Sequence, residues 1–333
     1  MAARSVERSV LHSSHGFPLH FSDATMLPTD THLPKASMLS VLKRPLFALF
    51  FATLPAFALA QAETVAGPVT SLAVATPDEL LKIANGNLFV SRDAGRSWSK
   101  LDVPAEAAGR MDKISVAAGD DHALYAAGPE IGLFASKDDG ESWSEATGDL
   151  PGTHVTAFAT HASEADTLYA YIPEKGIYRT RNAGVEWAKV SRGPEPREGA
   201  LTAKLDAVVG SVNEIVHTGM EGSMETGWIY VATSEGLRIS QDCFCLWREV
   251  GDFPGSVEAV AADPAHPEDV YAAAGATLSK SSDGGRSWSD AAAPESAVTA
   301  LAVGAEGVVF AGTEDGGLFV SRDHAESWTR ADD

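Results

Sequence analysis

Two cysteines in 333 residues, Cys243 and Cys245, leave no material for a disulfide scaffold. Long apolar runs are missing too: residues 45–57 are about 13 apolar-rich positions broken by Pro45 and Pro55, short of the ~20 a spanning helix needs. No segment sustains the 3.6-residue period of an amphipathic helix. His122, His154, His161, His217, His266 and His324 never fall at a metal-ligand spacing such as H-x-x-x-H. There is no G-x-S-x-G elbow, P-loop or dinucleotide fingerprint, so neither a metal nor a cofactor is expected. Basic charge is scarce as well, with 25 Lys and Arg against 46 Asp and Glu and a net charge of −21. Such a surface repels nucleic acid and anionic lipid headgroups and suits cations or a basic partner. Nucleic-acid binding is excluded on this ground.

The amino-terminal region reads as targeting. Lys43 and Arg44 precede the apolar run, and Ala58-Leu59-Ala60 places small residues where a signal peptidase cuts. Residues 38–60 are therefore expected to be a cleaved secretory signal rather than an anchor, leaving no membrane span. Residues 1–37 are too long for a basic n-region, and translation is expected to start at Met38. The mature chain, residues 61–333, then carries 20 basic and 43 acidic residues, a net charge of −23. Its expected location is periplasmic or secreted.

What is abundant is repetition. Ser91-Arg-Asp93-Ala-Gly95-Arg-Ser-Trp98 recurs as Ser136-Lys-Asp138-Asp-Gly140-Glu-Ser-Trp143 and Thr180-Arg-Asn182-Ala-Gly184-Val-Glu-Trp187. Three more copies follow: Ser240-Gln-Asp242-Cys-Phe244-Cys-Leu-Trp247, Ser281-Ser-Asp283-Gly-Gly285-Arg-Ser-Trp288 and Ser321-Arg-Asp323-His-Ala325-Glu-Ser-Trp328. The tryptophans lie 45, 44, 60, 41 and 40 residues apart, the length of one four-stranded propeller blade. Ser or Thr and Asp at this spacing can bond the amides of a tight turn. Glycine supplies a positive φ there, and the tryptophan buries a large ring whose N–H needs a partner. The box is thus a hairpin staple rather than a series of catalytic acids.

Around each box the sequence reads as short strands rich in β-branched and aromatic residues and punctuated by Gly, Pro and Asp. Val69–Val74 and Val298–Val303 are innermost strands, Leu124–Ala127 and Ile229–Ala232 second strands, and Gly132–Ser136 a third. The expected fold is all-β, a six-bladed β-propeller of four-stranded antiparallel blades forming one domain over residues 61–333. Residues 191–210, which widen one spacing to 60, contain no box and read as an enlarged loop rather than a seventh blade.

The consensus S/T-x-D-x-G-x-x-W resembles the Asp-box, or bacterial neuraminidase, repeat of sialidases and related extracellular glycoside hydrolases. It is also similar in style to the photosystem II stability factors, propellers that act without catalysis. The sialidase resemblance implies three arginines clamping a carboxylate, a Tyr–Glu nucleophile pair, an acidic Asp and an Arg-Ile-Pro motif. That motif is absent, and most of the twelve mature arginines lie in boxes or strands. Arg110, Arg192 and Arg197 remain in loops leading to innermost strands. Tyr125, Tyr169, Tyr230 and Tyr271 share one repeat position, which core packing explains, so no nucleophile stands out.

Acids recur in the turns between second and third strands: Glu130, Glu174, Glu235, and Glu314 with Asp315. These turns share the face opposite the boxes, where such acids would form an incomplete ring able to hold a hard cation or a basic partner. Cys243-Phe244-Cys245 replaces the glycine region of the fourth box; a local disulfide or two inert thiols are both open, ahead of a metal site. The expected function is an exported, monomeric, non-catalytic binding or assembly propeller recognising a protein, glycan or cation through its acidic face. The alternative is a sialidase-like glycoside hydrolase using acids such as Glu130, Glu174 or Glu235.

Overall fold

A computed structural model describes residues 67–119, 122–190, 211–222, 227–241, 244 and 247–331. The signal segment, Arg192, Arg197, Asp242, Cys243 and Cys245 lie outside the described residues, as do residues 191–210.

The strands run in chain order as six antiparallel meanders. Blade one holds β1 (Val69–Val74), β2 (Leu80–Ala84), β3 (Asn87–Ser91) and β4 (Ser99–Lys100). Blade two holds β5 (Lys113–Val116), β6 (Leu124–Gly128), β7 (Gly132–Ser136) and β8 (Ser144–Glu145). In blade three they are β9 (Ala157–Thr160), β10 (Leu168–Ile172), β11 (Gly176–Thr180) and β12 (Ala188–Lys189). Blade four comprises β13 (Val212–Thr218), β14 (Trp228–Thr233), β15 (Gly236–Ser240) and β16 (Arg248–Val250). Blade five follows as β17 (Ala259–Ala262), β18 (Val270–Ala274), β19 (Thr277–Ser281) and β20 (Ser289–Ala291). Blade six ends with β21 (Val298–Val303), β22 (Val309–Thr313), β23 (Leu318–Ser321) and β24 (Thr329–Arg330). The molecule is a six-bladed, all-β propeller. Its outermost strands are only two or three residues long and largely exposed, which blunts the sheet edges against stray pairing.

The core lies between blades. Six apolar clusters form, one at each junction; Val69, Leu72 and Leu80 of blade one meet Ala300, Phe310 and Leu318 of blade six at the seam. Tyr125 and Leu133 likewise meet Phe158, Leu168 and Trp187 between blades two and three. The repeat-position tyrosines Tyr125, Tyr169, Tyr230 and Tyr271 are all buried, as expected, and so is Tyr171.

Each blade is built from consecutive strands, so among the described residues no strand is exchanged across the seam. The innermost strands instead reach sideways. The ladders of β1, β13 and β21 shift register around Thr70, Asn213 and Thr299. At each irregularity that side chain bonds a carbonyl of the next blade: Thr70 Oγ1 to Asp112 O at 3.2 Å, Asn213 Nδ2 to Val257 O at 2.8 Å. Thr299 Oγ1 donates to Val69 O at 2.7 Å and so joins blade six to blade one. A bulge frees one residue from the ladder and re-aims its side chain.

The boxes form the staple anticipated from sequence. Ser91 Oγ donates to Asp93 Oδ1 and accepts from Gly95 N, both at 2.8 Å. Asp93 Oδ1 accepts from Ser97 N at 2.8 Å, and Oδ2 from Ser97 Oγ at 2.6 Å. The seventh position is therefore a working part of the box, as it is at Ser142, Ser287 and Ser327. Two successive residues take positive φ, for example Ala183 at 55° and Gly184 at 91°. A Cβ on Gly184 would sit 2.3 Å from Ala146 O of blade two, so this glycine is required by close approach as well. Trp98, Trp187 and Trp288 each donate Nε1–H to the box glycine carbonyl at 3.1 Å.

The third box differs by a matched pair of changes. Asn182 replaces the Asp and Glu186 replaces the Ser, with Asn182 Nδ2 donating to Glu186 Oε2 at 3.4 Å. An Asp at 182 would oppose the Glu186 carboxylate. Asn182→Asp is expected to lower stability by about 1 kcal/mol, and adding Glu186→Ser to restore it, in urea unfolding of both variants. Equal midpoints for single and double variants would dissociate the two positions.

Candidate functional site

Because every blade is a meander, the β1–β2-type loops and the boxes share one face of the ring, and the second-to-third-strand turns share the other. A central cavity of about 240 Å³ runs between them, walled by the innermost strands with Leu72, Ile114, Phe158 and Ile215.

On the turn face the acids anticipated from sequence are exposed, each in its own turn. Glu130 and Glu174 adopt φ of 66° and 63°. Glu235 N donates to Thr233 Oγ1, and Glu314 N to Ala297 O. Asp315 Oδ1 accepts from Thr313 Oγ1 at 2.6 Å and from Gly317 N, bonds that hold its carboxyl below the usual range. Of the sequence-selected residues the structure brings one pair together, Arg110 and Glu130 at 3.6 Å. Among the described residues no group of three or more His, Cys, Asp or Glu is arranged to hold a metal ion.

Sequence reasoning missed the charges that begin the innermost strands. Lys113 Nζ reaches from blade two to Glu214 Oε2 of blade four at 3.3 Å, and lies 3.5 Å from Thr70 O of blade one. The contact skips blade three, whose corresponding residue is Ala157, so the pair spans the channel at its turn-face end. Burial alone would pull the Lys113 ammonium down, but Glu214, Asp112 and Glu258 around it hold it above its ordinary value. Burial pushes the Glu214 carboxyl up, with Lys113 opposing. The available signal was register: these residues occupy positions where siblings are Ser71, Ala157, Ala259 and Ala300. Removing one partner strands a buried charge, so Lys113→Met is expected to cost about 3 kcal/mol. Lys113→Met with Glu214→Leu is expected to recover most of it in the same unfolding assay; a double variant no more stable than the single would show that the pair is not coupled.

At the other end of the channel, His122, His161, His217 and Asp263 line a mouth cavity of about 240 Å³. His161 and His217, from adjacent blades, stack with centroids 3.9 Å apart, and Tyr169 lies parallel to His217 at 5.4 Å. His217 Nδ1 accepts from Ala162 N at 3.1 Å, and His161 Nδ1 from Ser163 N and Glu164 N. Burial, then the neighbouring His161, depress His217 from 6.5 to about 3. The unfolded chain therefore binds a proton there that the folded chain refuses. Stability is full above pH 6.5 and falls between pH 6.5 and about 3, by up to about 1.4 kcal/mol per pH unit from this group. His217→Asn keeps an acceptor for Ala162 N, and is expected to flatten that dependence; an unchanged slope would assign it elsewhere.

In the boxes, bonds from the Ser287 hydroxyl and amide hold Asp283 at about 2, and those from Ser327 and Ser321 hold Asp323 well below the carboxylate range. They are fixed acceptors and poor candidates for proton transfer.

A family model described as "Photosynthesis system II assembly factor YCF48" matches residues 71–225, from blade one into blade four. No curated protein sequence matches the chain. Among solved structures it is similar to the GH74 enzyme of Niastella koreensis, at 15% identity and a TM-score of 0.52 over 78% of this chain and 46% of that one. An ancestral GH74 enzyme matches at 13% identity and TM-score 0.51, over 77% and 36%. YCF48 bound to D1 peptide matches at 18% identity and TM-score 0.47, over 78% and 94%. The chain spans less than half the length of these GH74 enzymes, and likeness at such identity concerns the fold alone. In its repeated boxes, their hydrogen bonds and its six meander blades, the chain is similar to the Asp-box (BNR) repeat β-propellers.

Proposed function

We propose that this chain is an exported, non-catalytic binding or assembly propeller whose acidic turn face receives a basic segment of a protein partner. The observation that carries the reading is the charge of that face. Asp112, Glu130, Glu174, Glu214, Glu235, Glu258, Glu314 and Asp315 start its innermost strands or occupy its turns. Among the described residues, Lys113 is engaged there with Glu214, Arg110 with Glu130, and Lys175 Nζ with Pro151 O. Opposite charge across an interface favours association rate and specificity. The match to an assembly-factor family model supports the same class. Export follows from the signal-like residues 38–60, with a mature terminus at Gln61.

The test combines residue-specific crosslinking of the exported chain with a fluorogenic panel of sialosides and common hexosides. Glu174→Lys with Glu235→Lys is expected to reduce the crosslinked partner at least tenfold, and the wild-type chain to turn over no panel substrate. Turnover abolished by changing one of Glu130, Glu174 or Glu235 would replace binding with glycoside hydrolysis.

A further inference from the structure

The turn between β2 and β3 of blade one stands on the acidic face, yet it carries an amide, Asn85, where sibling turns carry Glu130, Glu174, Glu235, and Glu314 with Asp315. Ala84 pairs with Asn87 across it, so Asn85 and Gly86 alone make the turn. Both take positive φ, 50° and 71°, as a type I′ hairpin requires and as Asn-Gly favours. Asn85 is exposed.

Asparagine is chemically labile in such a setting. The backbone nitrogen of the following residue can attack the side-chain Cγ and close a five-membered ring. Glycine obstructs that attack least, because it has no Cβ. The nitrogen must lose its proton to attack, so an N–H committed to an acceptor is protected.

The sequence has four Asx-Gly pairs, and their hydrogen bonds separate them. Gly140 N donates to Ser136 Oγ at 2.9 Å, Gly284 N to Glu268 O at 2.9 Å, and Gly316 N to Thr313 O at 3.0 Å. Gly86 N donates to no acceptor among the described residues. The three protected glycines also follow aspartates, whose ionised carboxyl is a poor electrophile with no amine to expel. The remaining asparagines, Asn87, Asn182 and Asn213, precede Leu88, Ala183 and Glu214 instead of glycine. Ala183 N is in addition bonded to Asp166 O at 2.9 Å. Among the described residues, an amide leaving group, an unhindered nitrogen and an uncommitted N–H coincide at Asn85 alone. Its carboxamide packs on Gly67, where an added Cβ would sit 2.9 Å from Asn85 Cγ. That packing restrains the side chain, so ring closure is slower in the folded chain than in the unfolded one.

We propose that Asn85 is a site of spontaneous deamidation, by which the blade-one turn gains the carboxylate that its siblings carry from the start. Gly86 N gives up its proton to solvent and bonds to Asn85 Cγ; the Cγ–Nδ2 bond breaks and ammonia leaves, giving a succinimide. Water opens that ring at either carbonyl, yielding aspartate or isoaspartate, so the net change is a water consumed and an ammonia released. Aspartate leaves the backbone as it was. Isoaspartate lengthens the main chain within a turn that is docked on blade two, where Gly86 O accepts from Met111 N at 3.1 Å. The reaction asks nothing of the partner proposed for this face.

The exported chain is aged in its folded state at mildly alkaline pH in isotopically heavy water, then digested with trypsin. Cleavage after Lys82 and Arg92 releases the peptide 83–92, whose fragment ions separate Asn85 from Asn87. A sample digested before ageing sets the background. Paired aspartyl and isoaspartyl products carrying one solvent oxygen are expected at Asn85, forming at least tenfold faster than at Asn87, Asn182 or Asn213. Asn85→Gln is expected to abolish them, since glutamine closes its larger ring far more slowly; an unchanged thermal midpoint checks that this variant folds. No conversion at Asn85 in the folded chain, or conversion no faster there than at the other three asparagines, would overturn the proposal.

Discussion

Everything in this molecule depends on closing a ring of six sheets in which the described strands of the first and the last stay in their own blades. A closed propeller has no free sheet face only if blade six packs on blade one as well as any internal pair does. Here the seam is sealed by the same apolar interdigitation found at the other junctions, with Val69 and Leu72 against Ala300 and Phe310. It is then tied by the Thr299 hydroxyl to Val69 O. The tie exists because the ladder slips beside Thr299, freeing its side chain from the ladder. Irregularity in the innermost strand thus becomes connection between blades, and nearest-neighbour packing, not any one blade, sets the stability.

The boxes serve that packing from the outside. Gly184 lies so close to Ala146 of the preceding blade that any side chain would collide with backbone. The box therefore does two things at once: it turns the chain, and it offers a nearly bare backbone surface for the neighbour to rest on. Where the glycine is missing, the substitute is accommodated in other ways. Ala325 accepts φ of 64° and Phe244 accepts 62°, with the Phe244 ring packed 5.3 Å from Tyr169 across the junction.

Much of this was legible in sequence because repetition multiplies weak signals. A single S-x-D-x-G-x-x-W is ambiguous; six at one period specify blade length, turn, strand order and the buried face of each tyrosine. What stayed hidden was whatever breaks the repeat at one position only. Lys113 and Glu214 are 101 residues apart, in blades that are not neighbours, and nothing local marks them as partners. Asn182 and Glu186 look like two departures from consensus until the hydrogen bond shows them to be one exchange. Stacking of His161 on His217 was equally invisible, since scattered histidines meet only when inner strands from two blades end at the same mouth.

The same logic separates scaffold from function. Box carboxylates bonded to a hydroxyl and an amide, and held strongly acidic as at Asp283 and Asp323, are used up as acceptors. They cannot be counted as chemistry, however much their number suggests it. Charge outside the boxes is therefore the informative kind, and acids gather in the turns of one face. A scaffold whose stability comes from repeated junctions can vary the rim residues of any one junction at little cost, because each touches only its neighbour.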